Sequence, residues 1–202
     1  MVIVGMTALG QSKIHRVPLP KVPKGADDRC VYRPKYSPAK RLQFYPFNIA
    51  DTIKLISFRH HLKNYPVSRD SVVKDSLLEV KVLQPQEVNQ LTDILYNNFY
   101  KKFSGIGVLA QCFTPRNAIL FIDKTGKLKE SILICFHCNR YEVWSGTYNV
   151  FGNECDEKME MIRKFFITQG VIFGTDRDVD SYPGETNKEE GIAAPMNNKA
   201  PL

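Results

Sequence analysis

Two neighbouring stretches decide the fold: Cys112-Phe-Thr-Pro-Arg-Asn-Ala-Ile-Leu-Phe-Ile-Asp123 and Ile132-Leu-Ile-Cys135-Phe-His-Cys138. The apolar runs over 118–123 and 128–135 flank Lys124-Thr-Gly-Lys127, a short glycine-bearing loop that is typical of a β-hairpin. The hairpin carries three of the five cysteines, two of them in a Cys-x-x-Cys spacing. Cysteines form disulfides outside the cell and serve metal or redox chemistry inside it, so their role depends on the compartment.

Further periodic segments surround this hairpin. In chain order, the predicted elements are strands over 52–59 and 77–83, a helix that begins at Pro85, the two hairpin strands, a helix over 154–169 and a short strand over 171–173. Leu78, Val80 and Val82 alternate with polar residues, which predicts the apolar face of a half-buried strand. Asn153 and Gly170 are suited to cap the two ends of the second helix.

The order of these elements from residue 77 is β-α-β-β-α-β. This order predicts an α+β fold, in which an antiparallel sheet carries two helices packed on one face. The topology is expected to be ferredoxin-like, with an extra N-terminal strand near 52–59.

The charge of the chain is unevenly distributed. The 202 residues carry a net charge of +7, and the whole excess lies in residues 1–41. Because the remainder is neutral, the sequence does not favour specific nucleic-acid binding, and weak contact of residues 13–41 with an anionic surface stays open. Residues 12–50 are rich in proline, which predicts an extended arm that forms neither ladder nor helix.

A single α+β domain is expected over 51–175, followed by a disordered, polar tail over 176–202. The apolar leader, residues 1–11, is too short to span a bilayer. It is similar to the end of a secretory signal, with Ala8 and Gly10 at the positions that a signal peptidase reads. The leader therefore predicts an exported protein, periplasmic, cell-surface or secreted. A buried N-terminal strand is the alternative.

The cysteines are the candidate site residues. Cys112 and Cys135 fall at the same end of the hairpin, and Cys138 could reach Cys155 in the first turn of the second predicted helix. In an exported protein we expect one or two structural disulfides among these four residues.

Two alternatives use the same thiols. Zinc would need four tetrahedral ligands, and the candidates are Cys112, Cys135, His137, Cys138 and Cys155. Thiol–disulfide exchange matches the Cys-x-x-Cys spacing, but that chemistry usually places the first cysteine at a helix N-terminus, and the residues after Cys138 look extended. No cofactor other than this alternative zinc ion is predicted.

Other polar residues are expected to serve structure. His60 and His61 would point to opposite faces of a strand and are expected to be solvated. Asp123 is expected to shape the hairpin turn, and Arg116 to pair with a carboxylate. No nucleophile elbow, phosphate-binding glycine loop or zincin helix is present in the sequence.

The two quoted stretches, together with Cys155-Asp-Glu-Lys-Met-Glu-Met-Ile-Arg-Lys-Phe-Phe166, resemble a group of small exported bacterial proteins of unknown function. The resemblance covers residues 85–174. It implies that the four cysteines act together, and it implies no activity. Cys30 lies outside it and is expected to be the unpaired thiol.

The sequence thus predicts a non-catalytic binding or accessory protein with structural disulfides. The alternative is a thiol-based redox enzyme or a metal-binding protein built on the same cysteines.

Overall fold

The computed structural model describes residues 21–59, 66–67, 71–105, 112–147 and 149–176. The predictions for the leader, for residues 12–20, for His60 and His61 and for the tail beyond Asp176 lie outside these residues. The elements in chain order are β1 (Asp27–Tyr32), α1 (Pro38–Arg41), β2 (Thr52–Phe58), β3 (Leu77–Val82), α2 (Pro85–Tyr96), β4 (Asn98–Lys102), β5 (Asn117–Ile122), β6 (Leu128–Cys135), β7 (Arg140–Val143) and α3 (Lys158–Thr168).

The described strands form two antiparallel sheets. The larger sheet has five strands in the order β3-β2-β5-β6-β7, and the smaller sheet pairs β1 with β4. The predicted α+β class is therefore confirmed. The ferredoxin-like order is not confirmed, because β2 lies between β3 and β5, and residues 171–173 form no strand.

The predicted hairpin is β5 and β6, and its turn is built by Asp123. The Oδ1 atom of Asp123 accepts hydrogen bonds from the backbone N–H of Thr125 (2.9 Å) and of Lys127 (3.1 Å) and from the Thr125 hydroxyl (2.6 Å). These hydrogen bonds, chiefly that from the Thr125 hydroxyl, lower the pKa of the Asp123 carboxyl. Gly126 supplies the positive φ of 83° that the turn requires. The turn-shaping role predicted for Asp123 is confirmed.

Both faces of the larger sheet are covered near its centre. One core cluster joins alternate residues of β2, β5 and β6 to these side chains of α2 and α3: Leu91, Leu95, Tyr96, Met159, Ile162, Phe165 and Phe166. On the other face of the sheet, apolar residues of β2, β5 and β6 form a second cluster with Val67. Because water reaches neither face of β5, its residues are apolar at nearly every position and show no period of two.

In the edge strand β3, the face that was predicted to be buried is the exposed one. Leu78, Val80 and Val82 are 46%, 52% and 43% exposed, so the prediction that they form the buried face is wrong. Their polar neighbours are the partly buried residues. Glu79 accepts hydrogen bonds from the Ser57 hydroxyl (2.6 Å) and from two backbone N–H groups at residues 172–173 (both 3.0 Å), and these bonds offset the desolvation of its carboxylate.

Both predicted helices are present. α2 begins at Pro85, as predicted, where a missing N–H leaves no hydrogen bond unmade. α3 begins at Lys158, four residues after the predicted start, and residues 155–157 are instead tied to β1. Gly170, at a φ of 79°, follows its last turn in the left-handed conformation that glycine tolerates best.

Residues 21–50, part of the extended arm predicted over 12–50, form regular secondary structure. Their β1 strand pairs with β4, and α1 packs beside α2, so the expectation of neither ladder nor helix is wrong for this part of the chain. Arg41 is only 4% exposed, and its guanidinium binds the Tyr36 carbonyl (2.7 Å) and the Asp93 carboxylate (3.1 Å). Phe47 joins the main core cluster. Part of the basic, proline-rich segment is therefore integral to the fold.

Candidate functional site

Four of the five cysteines form two disulfides. Cys30 is bonded to Cys155 with Cα atoms 5.0 Å apart, and Cys112 is bonded to Cys138 with Cα atoms 5.8 Å apart. Cys135 keeps a free thiol and is only 2% exposed. The cysteines therefore support structural cross-links, at two separate places in the fold.

The pairing differs from the one predicted. Cys135 ends β6 opposite Arg140, and the turn at 136–139 leaves Cys138 as the partner of Cys112. Cys155 does not meet Cys138, because pairing of β1 with β4 brings Cys30 beside it. The expectation that Cys30 is the unpaired thiol is corrected: Cys135 is that thiol.

The free thiol lies beside the second disulfide. The backbone N–H of Cys138 donates to the Cys135 sulfur at 3.3 Å, and the Thr114 hydroxyl lies 3.7 Å from the same sulfur. The Cys112–Cys138 disulfide and the Cys135 thiol therefore form one cluster of sulfur atoms at the end of the hairpin.

The structure also bears on the proposed zinc ligands. Among the described residues, no group of three or more His, Cys, Asp or Glu side chains is placed to hold a metal ion. Cys112, Cys138 and Cys155 are in disulfides, and His137 is exposed on the turn. Asp123 and Arg116 do not join the cluster as site residues: Asp123 serves its turn, and Arg116 is buried.

A cleft of about 730 Å³ lies next to the other disulfide. One wall is the small sheet and the other is the loop that precedes α3. We call it the aromatic cleft, and its lining residues are Arg33, Phe99, Tyr100, Phe103, Asn149, Gly152, Asn153 and Glu154.

The Cys30–Cys155 bond joins the two walls of the aromatic cleft. Cys30 is the cross-strand partner of Tyr100, which lines the sheet wall. Cys155 directly follows Glu154, which lines the loop wall. The disulfide therefore lies next to both walls. Its loop end is one residue from the lining residue Glu154, and its sheet end is on the strand that pairs with the lining residue Tyr100.

Two hydrogen bonds reinforce the covalent link. The backbone N–H of Cys30 donates to the Glu157 carboxylate at 2.6 Å. The backbone N–H of Asp156 donates to the Asp28 carbonyl at 3.0 Å. Together with the disulfide, they fix the loop against β1 at three successive residues.

The loop wall also requires a glycine. Gly152 has a φ of 65°, and a Cβ atom placed there would lie 2.9 Å from the Leu95 carbonyl oxygen. Any side chain at this position would therefore force the loop away from the end of α2.

A buried amine connects the loop wall to α2 and β4. Lys158 Nζ donates to the carbonyl oxygens of Leu95 (2.5 Å), Asn98 (3.0 Å) and Phe151 (3.4 Å). These carbonyls belong to the last turn of α2, the start of β4 and the loop wall, so one side chain connects three segments. Burial lowers the pKa of the Lys158 amine from its usual 10.5 to about 8.

Aromatic rings give the sheet wall an open apolar surface. The rings of Tyr100 and Phe103 lie with centroids 4.5 Å apart and planes inclined by 36°. Phe103 is 55% exposed. On the loop wall, the Glu154 carboxylate accepts a hydrogen bond from the Tyr141 hydroxyl, and burial is the main cause that raises the pKa of Tyr141. The cleft can therefore offer ring faces together with amide, carboxylate and guanidinium groups.

The aromatic cleft was not predicted from the sequence. A signal was present in Asn98-Phe-Tyr-Lys-Lys-Phe103, where aromatic and basic residues follow one another directly after a helix. The opposite wall comes from a loop about fifty residues later, and only the fold brings the two together.

No helix within the described residues has the length and apolarity to cross a membrane. The chain matches no protein-family model, no curated protein and no solved structure.

Removing the two disulfides separately should affect stability unequally. They close loops with sequence separations of 125 and 26 residues. The chain-entropy argument gives about 5 kcal/mol for a loop near the longer size and about 3.5 kcal/mol for one near the shorter. We expect Cys30→Ala/Cys155→Ala to lower the denaturant midpoint more than Cys112→Ala/Cys138→Ala, measured by fluorescence in guanidinium chloride. Equal midpoints, or the reverse order, would count against a structural role for the Cys30–Cys155 bond.

The buried amine predicts a pH dependence. Because the pKa of Lys158 is about 8 in the folded protein and near 10.5 when unfolded, the unfolded chain binds more protons between these values. The contribution of Lys158 to the free energy of unfolding should therefore rise from pH 8 to 10.5 and fall as the pH drops through 8. Subtracting the free energy of unfolding of Lys158→Met from that of the unsubstituted protein at each pH removes the contributions of the other titrating groups. A difference that stays flat over this range would show that the amine is not desolvated.

Proposed function

We propose that this chain is an exported, non-catalytic binding protein, and that the aromatic cleft is its ligand site. The observation that carries the proposal is the Cys30–Cys155 disulfide, which joins the two walls of the cleft. A cross-link at this position limits the relative motion of the walls. Less conformational entropy is then lost when a ligand is bound, which favours affinity.

The proposed location follows from the chemistry of the cysteines and from the leader. Disulfides persist in oxidising compartments such as the periplasm and the cell exterior. Two of them are compatible with export, and the apolar leader of residues 1–11 supports the same location. The resemblance of residues 85–174 to small exported bacterial proteins agrees with it.

The composition of the cleft supports binding. Small-molecule sites are concave, with apolar and aromatic walls and a few polar groups that orient the ligand. Phe99, Tyr100 and Phe103 supply the rings, and Asn149 and Asn153 supply amides that both donate and accept hydrogen bonds. The volume of about 730 Å³ lies in the range of such sites.

The proposal is tested by screening a chemically diverse fragment library against the oxidised, ¹⁵N-labelled protein. Fragments that bind should shift the amide signals of Gly152, Asn153 and Glu154. Phe103→Ala should weaken the best fragment about five-fold, because an aromatic contact contributes about 1 kcal/mol. Trp144→Ala is the matched control, since Trp144 is an exposed aromatic residue outside the lining. Fragments that leave the cleft signals unmoved, or that respond to both substitutions alike, would refute the assignment.

A second function is favoured by the position of Cys135. Its sulfur accepts a hydrogen bond from the Cys138 N–H and lies beside the Cys112–Cys138 disulfide, as thiol–disulfide exchange requires. In the exchange, the Cys135 thiolate attacks the Cys138 sulfur, a Cys135–Cys138 bond forms, and the Cys112–Cys138 bond breaks. Cys112 leaves as a thiolate and takes up the proton that Cys135 released to solvent. No net oxidation occurs.

This exchange predicts that the sulfurs of Cys135 and Cys138 can meet. In Cys112→Ser, treatment with glutathione disulfide should yield a Cys135–Cys138 cross-link, found by peptide mapping without reduction. The control is Cys30→Ser, in which the released Cys155 should form no bond to Cys135, because it lies at the other disulfide site. Alkylation of both Cys135 and Cys138 in oxidised Cys112→Ser would exclude the exchange.

A further inference from the structure

We infer that the ligand of the aromatic cleft is a neutral, hydroxylated ring, namely a sugar unit of an oligosaccharide. This inference rests on the proposed binding function and adds the chemical class of the ligand. It follows from three properties of the cleft: an exposed aromatic platform, polar side chains at its rim, and balanced charge.

The platform is formed by Tyr100 and Phe103. Their rings pack against each other, with centroids 4.5 Å apart and planes inclined by 36°, and Phe103 is 55% exposed. Exposing a phenylalanine ring leaves apolar surface in water, and covering that surface is favourable. A pyranose ring carries C–H groups on its faces, so it can cover an aromatic ring while its hydroxyls stay at the edge.

Polar side chains stand at the rim of this platform. The side chains of Arg33, Asn149 and Asn153 form no hydrogen bond with other described residues, and all three residues are exposed. The amides donate and accept, the guanidinium donates, and Glu154, which follows Asn153 on the loop wall, accepts. A sugar hydroxyl is at once a donor and an acceptor, so it can use every member of this mixed set.

The segments that build the cleft are neutral as a group. Residues 27–33, 98–105 and 149–158 hold five basic and five acidic side chains. Part of this charge is paired locally, as in the contact of Lys101 with Asp27 at 3.1 Å. A ligand of either sign therefore gains no net attraction from the walls, and an uncharged ligand loses nothing. This balance distinguishes a neutral sugar from a phosphorylated or cationic ligand.

The backbone of the loop wall keeps the rim groups in place. Asn149 and Gly152 have positive φ values of 61° and 65°, and the backbone N–H of Gly152 donates to the Asn149 carbonyl at 3.0 Å. Cys155 fixes the end of the same loop. The amides of residues 149 and 153 are therefore presented from a constrained turn, as recognition of a rigid ring requires.

The inference is tested with cello-, chito-, xylo-, malto- and laminari-hexaose as probes, each titrated into the oxidised full chain to millimolar concentration. We expect at least one to bind, with heat detected by calorimetry and with shifts of the Asn153 and Glu154 amide signals. Phe103→Ala and Asn153→Ala should each weaken that binding at least five-fold, and Trp144→Ala should leave it unchanged.

The outcomes separate this inference from the proposed function. If none of the five oligosaccharides binds, or if the binding is insensitive to Phe103→Ala, the sugar assignment is wrong. If fragments of another chemistry still bind in the cleft, the proposed function survives that failure. If neither fragments nor oligosaccharides reach the cleft, both are wrong. Tighter binding of a charged polymer such as polygalacturonate than of any neutral hexaose would also overturn the assignment.

Discussion

The bond between Cys30 and Cys155 determines where the small sheet lies. It joins residues that are 125 positions apart, and it fastens β1 to the loop before α3. An isolated pair of strands is only marginally stable in water, so β1 and β4 need contacts with the rest of the protein. The disulfide and the hydrogen bonds of Asp156 and Glu157 to β1 supply several of them at one place. The arrangement of the two walls of the aromatic cleft therefore depends on this disulfide and on the hydrogen bonds beside it.

Lys158 stabilises the same junction from inside. The last carbonyls of a helix have no partner within it, and Leu95 belongs to the final turn of α2. The Lys158 amine satisfies this carbonyl and those of Asn98 and Phe151, and as a cation it also interacts favourably with the C-terminal end of the helix dipole. Its burial is unfavourable for the charge, and three close acceptors offset part of that cost. The disulfide and the amine thus both hold the loop that precedes α3.

Local patterns allowed much of the fold to be predicted, and distant contacts account for what was missed. The β5–β6 hairpin, its Asp123 turn and the start of α2 at Pro85 depend on neighbours in sequence. The exposed face of β3 could not be predicted, because Glu79 is held by backbone groups 93 and 94 residues away. The pairing of Cys30 depends on a strand within a proline-rich segment, and the cleft depends on two walls that only the tertiary structure brings together.

The pairing of Cys30 with Cys155 can be tested by peptide mapping of the protein isolated from its native host and alkylated without reduction. We expect one cross-linked peptide pair that contains Cys30 and Cys155, and a second that contains Cys112 and Cys138. Cys135 should be alkylated only after denaturation, because it is 2% exposed. Recovery of Cys30 as an alkylated thiol, or joined to any cysteine other than Cys155, would show that this disulfide does not hold the small sheet.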